Sequence, residues 1–97
     1  MIAVYVNPEN LTLELYQKAH EALVASGAPE TGRIHHSCFG EPDRLMVYDI
    51  WDSQADFDAF AAHLGPILEQ LGVKMDRPPD VIPVVAVDQS AYTSEPG

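Results

Sequence analysis

A tight turn in the middle of the chain constrains its fold more than any other feature. Glu41-Pro42-Asp43-Arg44 separates two runs of strand-forming residues, Gly32–Gly40 and Leu45–Trp51. Proline presets the φ angle of the second turn position and Asp suits the next, so Pro42 and Asp43 read as the centre of a type I turn in a β-hairpin. The turn sets the register. Glu41 then faces Arg44, Phe39 faces Met46, Ser37 faces Tyr48 and His35 faces Ile50. On the opposite face Cys38 meets Val47, His36 meets Asp49 and Ile34 meets Trp51. Directly opposed Cβ atoms lie about 4.5–5.5 Å apart. An imidazole and a carboxylate are thereby neighbours, with Trp51 two residues along the same face.

The flanking segments complete a fold. Met1–Val6 alternates Ile2, Val4 and Val6 with Ala3, Tyr5 and Asn7, and Pro8 ends this strand. A helix follows, N-capped by Asn10 or Thr12, with Leu15, Tyr16, Ala19, Ala22 and Leu23 as its core stripe. Gly27 suits the C′ position and Pro29 blocks continuation. After the hairpin, Ser53 caps a second helix with Phe57, Phe60, Ala61, Leu64, Ile67, Leu68 and Leu71 as its stripe. Pro66 should break this helix after Gly65, leaving a short segment that closes at Gly72. Val81–Val87 reads as a final strand, with Pro83 marking it as an edge.

The order β-α-β-β-α-β is the split βαβ pattern of an α+β, ferredoxin-like fold: a four-stranded antiparallel sheet with two helices on one face. Residues 1–88 form a single domain, and 89–97 form a polar C-terminal tail. Two helices cover only one face of such a sheet. Assigning Tyr5, Ile34, Cys38, Leu45, Val47 and Trp51 to the open face makes it too apolar for water, so a homodimer through that face is expected. His36 and Asp49 would then lie on the floor of the enclosed space.

Charge narrows the partners. Fifteen acidic residues against five basic ones give a net charge of −10 over 97 residues, which disfavours nucleic acid and anionic membrane surfaces. No charged-then-apolar pattern marks Met1 onward, so no leader is expected, and no apolar run reaches the ~18 residues a membrane span needs. The single Cys38 excludes an intrachain disulfide, and a cytoplasmic setting is expected. His35 and His36 point to opposite strand faces and cannot chelate together, so no metal is expected. No nucleotide-binding fingerprint occurs, and no cofactor is expected.

The run V-Y-D-I-W-D-S-x-x-x-F-x-x-F from Val47 to Phe60, leading into H-L-G-P-I-L-E-Q-L-G, resembles the dimeric α/β-barrel superfamily. Within it the chain is similar to the small proteins related to antibiotic-biosynthesis monooxygenases. It bears a particularly close likeness to an uncharacterised bacterial group with a histidine in the second strand and D-x-W-x-S ending the third, here His36, Asp49, Trp51 and Ser53. The resemblance implies a dimeric α/β barrel, with activities that range from cofactor-independent monooxygenation to polyketide cyclisation and haem degradation. Asn7 fits the haem-degrading pattern, but Phe60 stands where those members carry Trp, and His63 comes too early for their iron ligand.

A carboxylate beside an imidazole selects its tautomer and strengthens it as a base. His36 is the expected general acid/base and Asp49 its orienter, making both the catalytic candidates. Trp51 and Tyr5 would wall a small hydrophobic ligand and Asn7 would donate to its carbonyl. The expected function is a small cofactor-independent enzyme acting on an aromatic or polyketide-like metabolite by cyclisation, isomerisation or monooxygenation. The alternative is a non-catalytic dimeric ligand-binding or accessory protein.

Overall fold

The computed structural model describes residues 1–75 and 77–87. The chain runs β1 (Ile2–Val6), α1 (Leu13–Ser26), β2 (Arg33–Glu41), β3 (Arg44–Trp51), α2 (Gln54–Gln70) and β4 (Asp80–Pro83). The strands form one antiparallel sheet in the order β2-β3-β1-β4, the ferredoxin-like arrangement that the element order predicts. Residues 89–97, the tail, lie outside the described residues.

Local chemistry sets the element ends. Thr12 caps α1, its hydroxyl accepting from Leu15 N–H at 3.2 Å. Asn10, the other candidate cap, instead ties two loops together: its amide donates to the Gly72 carbonyl and its oxygen accepts from Lys74 N–H. Gly27 ends α1 at φ +71°, where the following N–H of Ala28 reaches the Leu23 carbonyl. Ser53 caps α2 by accepting from Asp56 N–H.

The hairpin keeps the turn-derived register from Glu41↔Arg44 to His35↔Ile50 and then departs from it. A bulge between Arg33 and His35 sets Arg33, rather than Ile34, opposite Trp51. Two residues of β2 share one partner on β3 there, which reverses the alternation upstream of His35.

The larger correction concerns the faces. Trp51, Val47, Leu45, Cys38, His36 and Asp49 lie on the helix-covered side of the sheet, not on the open one. Val4, Val6, Trp51, Phe57 and Phe60 make the central cluster, and Leu11, Leu45 and Val73 make a second. Pairing of Val4 with Asp49 and of Tyr5 with Tyr48 puts Tyr5 on the opposite face from the His36–Asp49 row. The physical reason is the aromatic stripe of α2. Trp51 packs on Phe57 and Phe60 with ring centroids 6.0 and 5.2 Å apart and is fully buried.

Two further expectations change. α2 is continuous through Pro66. Proline disfavours helix at the preceding residue partly through that residue's Cβ, and Gly65 has none. Leu64 and Leu68, one turn apart across the proline, both pack inward and hold the two segments on one axis. β4 is shorter than Val81–Val87 and stops at Pro83, on the sheet edge, as a residue without an N–H requires.

Pro66 is exposed, and its ring deprives the carbonyl four residues earlier of a partner. Pro66→Ala should therefore raise the stability of the fold by up to about 3 kcal/mol. Chemical denaturation measures this, and a lower midpoint would contradict the account of α2.

Candidate functional site

The loop before α1 is fastened to the hairpin tip by two backbone bonds. Leu13 N–H donates to the Pro42 carbonyl at 2.8 Å, and Leu45 N–H donates to the Leu11 carbonyl at 2.7 Å. The first turns of α1 are thereby held beside β2, where Tyr16 lies against His36. Their rings are near parallel, 7° apart in plane with centroids at 6.2 Å.

Three side chains form a hydrogen-bonded chain there. The Asp49 carboxylate, 5% exposed, is 2.6 Å from His36 Nδ1. His36 Nε2 is 2.7 Å from the Tyr16 hydroxyl. Their direction follows from the inventory of donors. An ionised carboxylate only accepts, so Nδ1 carries the proton and donates to it. When the ring is neutral, Nε2 is an acceptor and Tyr16 O–H donates to it; when the ring is protonated, Nε2 donates to the Tyr16 oxygen.

The chain lies on the wall of a cavity of about 140 Å³ between sheet and helices. Val4, Leu23, Val47, Phe57 and Phe60 supply apolar walls, while Glu30, Arg33 and His20 join Tyr16, His36 and Asp49 as the polar part. Arg33 pairs with Glu30 at 2.9 Å, and its guanidinium carbon lies over the Trp51 and Phe60 rings at 5.9 and 5.5 Å. A Cβ on the preceding Gly32 would run into the Asp56 carboxyl, so the chain enters β2 through a position only glycine fits. A dry cavity of about 150 Å³ holds benzene. This one has room for a single ring.

The residues expected at the site divide. His36 and Asp49 come together on the cavity wall. Trp51 is core packing beneath the Arg33 guanidinium. Tyr5 lies on the uncovered face, stacked on Phe39 at 6.5 Å, and its hydroxyl donates to Met46 Sδ. Asn7 lines a separate shallow depression with Gly40, Glu41, Arg44 and Met46. None of those three lines the cavity: Trp51 shares the face of His36 but is packed as core under α2, while Tyr5 lies on the opposite face of the sheet and Asn7 in the separate depression. Tyr16, Arg33, Glu30 and His20 were not expected. Tyr16 shares the helical spacing of the α1 core stripe, so its hydroxyl gave no sequence signal apart from position. Arg33 is three residues from His36 and by strict alternation would face away; only the bulge turns it inward. Among the described residues, no group of three or more His, Cys, Asp or Glu side chains gathers as a metal site, and no helix is long and apolar enough to cross a membrane.

Burial raises the Tyr16 phenol above the ordinary tyrosine value of 10.0, with Cys38 and Asp49 adding and Arg33 opposing. Burial likewise raises the Cys38 thiol above 9.0. Both neutral forms are favoured by folding. Their contribution is complete below the unfolded-state values and is lost as pH rises through the higher folded-state ones. Thermal stability should therefore fall as pH climbs past 9 and 10, with less loss in Tyr16→Phe. Alkylation of Cys38 at neutral pH should be slower than that of a free thiol. Melting curves across alkaline pH and iodoacetamide kinetics test the pair of statements.

No protein-family model matches the chain, and no curated protein does either. Solved structures do. A crystal structure of an antibiotic biosynthesis monooxygenase matches with TM-score 0.60 and 16% identity over 91% of this chain and 100% of that one. A conserved protein from Methanosarcina mazei Go1 gives 0.58 and 17% over 82% and 86%, respectively. Rv0793 from Mycobacterium tuberculosis gives 0.55 and 13% over 93% and 99%. The chain shares the ferredoxin-like fold of these structures, the first of which is named as an antibiotic biosynthesis monooxygenase.

Proposed function

We propose that the protein is a small cofactor-independent enzyme. His36, oriented by Asp49, moves a proton on a hydrophobic aromatic or polyketide-like metabolite in a cyclisation, isomerisation or monooxygenation. One observation carries this reading: a carboxylate 5% exposed, on the wall of an apolar cavity, has its oxygen 2.6 Å from an imidazole that lines the same cavity. A buried charge is costly without such a partner, and a held imidazole is the usual proton carrier in catalysis. The shared fold of a protein named as an antibiotic biosynthesis monooxygenase supports the same class of chemistry.

The test uses resorcinol, one ring with two hydroxyls, whose ring hydrogens exchange with D₂O through its ionised form. The wild-type protein should accelerate that exchange above buffer. His36→Ala should remove about 10²–10⁴-fold of it, and Asp49→Asn a smaller part. Oxygen uptake during the same incubation separates monooxygenation from redox-neutral reactions. If the wild type gives neither exchange nor oxygen uptake while both variants lose stability, the pair is a structural one in a ligand-binding or accessory protein.

The protein is also proposed to be a homodimer through the uncovered sheet face. Tyr5, Phe39, Met46 and Tyr48 lie on that face, and Phe39 is 44% exposed. Exposed aromatic surface of this kind favours burial by a second copy. Phe39→Asp should shift the molecular mass measured by light scattering from dimer to monomer, and a wild type monomeric at micromolar concentration would refute the assembly.

A further inference from the structure

Resting on the proton-transfer reading of the cavity, we propose that Tyr16 is the residue that meets the ligand. The cavity takes an uncharged, single-ring molecule that binds by donating its own O–H or N–H to the Tyr16 oxygen.

The polarity of the hydrogen-bonded chain dictates the donor. With the imidazole neutral, Asp49 accepts from His36 Nδ1 and Nε2 is left to accept from Tyr16 O–H, 2.7 Å away. The one proton of Tyr16 is used up on Nε2, so the phenolic oxygen has only lone pairs to offer the cavity that Tyr16 lines. A ligand that can only accept, such as a ketone or an ether, would meet lone pair with lone pair. A ligand that donates extends the chain by one link.

Charge and volume narrow the choice further. Of the charged side chains on the cavity wall, Asp49 and Glu30 are acidic and Arg33 is basic, and Arg33 is already paired with Glu30. An anionic ligand would face Asp49 with no free cation to meet it. A volume near 140 Å³ matches one ring better than a fused pair. Burial keeps the Tyr16 phenol neutral, as the chain requires.

The same geometry gives the step its direction. The ligand O–H bond breaks as the Tyr16 oxygen gains that proton. The proton that Tyr16 held passes to His36 Nε2. The products are a ligand anion, a neutral Tyr16 and an imidazolium beside Asp49, with no electron exchanged. His36 and Asp49 thus act through Tyr16 on any ligand seated in this way.

Titration of the full-length protein with phenol, anisole, acetophenone, benzoate and 2-naphthol tests the inference by NMR and calorimetry in mildly alkaline buffer. Phenol should bind about five- to tenfold more tightly than anisole or acetophenone, the worth of one net hydrogen bond. Benzoate and 2-naphthol should bind more weakly still. In Tyr16→Phe the ring should still bind, with the phenol preference over anisole reduced to within about twofold. Imidazole ¹⁵N shifts in the wild type should show His36 protonated at Nδ1 and bare at Nε2, a readout independent of any ligand and of whether the variant folds. Equal affinities for phenol and anisole, a preference for acetophenone or benzoate, or a proton on Nε2 overturn the role given to Tyr16. If rings bind without regard to their donor, the cavity survives as a ligand site and only the Tyr16 assignment falls. If no ring perturbs Phe57 or Phe60 resonances, the proposal and the ligand-binding reading fall together.

Discussion

Two helices leave room beneath them for one face of a four-stranded sheet, and everything in this protein depends on which row of β3 takes that place. The row is Leu45, Val47, Asp49 and Trp51. Three of its members are apolar and build the two core clusters with Val4, Val6 and the aromatic residues of α2. The fourth is a carboxylate in a position where hydrophobic burial would ordinarily demand another valine. Asp49 is tolerated because β2 brings His36 opposite it on the same face. The alternation that buries Trp51 also buries Asp49, so core and site cannot be separated by sliding the strand: a one-residue slip would expose the whole row.

The hairpin was legible because turn chemistry is local. Pro42 and Asp43 need no tertiary context to make a turn, and the ladder follows residue by residue as far as His35. The ferredoxin-like order was legible for a similar reason, since helical and strand periods alternate cleanly along the chain. The choice of face was not. Alternation tells which residues share a side, while the side that meets the helices is decided by a tertiary contact, here Trp51 against Phe57 and Phe60. Trp51 can read equally as a ligand wall or as core, and the packing surface of α2 decides for core. Arg33 was hidden by the bulge at Ile34, which no feature of G-R-I-H-H announces. Tyr16 was visible as part of a stripe, but a stripe position does not reveal what a hydroxyl will touch. The continuity of α2 is not legible from Pro66 alone, because the missing Cβ of Gly65 lowers the cost of helix at the residue before the proline.

The cavity itself is a departure from close packing. Interiors normally leave few voids larger than a water molecule, and this pocket of about 140 Å³ is larger than that. Part of the lining is stiffened in compensation. Arg33 lays its planar guanidinium over Trp51 and Phe60 while Glu30 holds its far side. The hydrogen bonds of Leu11 and Leu13 to the hairpin tie the start of α1 to the sheet. The polar chain Asp49–His36–Tyr16 forms one part of the lining, with Glu30, Arg33 and His20 the other polar contributors to an otherwise apolar wall.

The irregularity in β2 has an effect beyond turning Arg33 inward. β2 and β4 are the two outer strands of the sheet, and an outer strand invites another chain to extend its ladder. The bulge next to Ile34 breaks the spacing such an intruder would have to match, and Pro83 withholds an amide at the end of the other border. Lateral growth into fibres is discouraged at both margins.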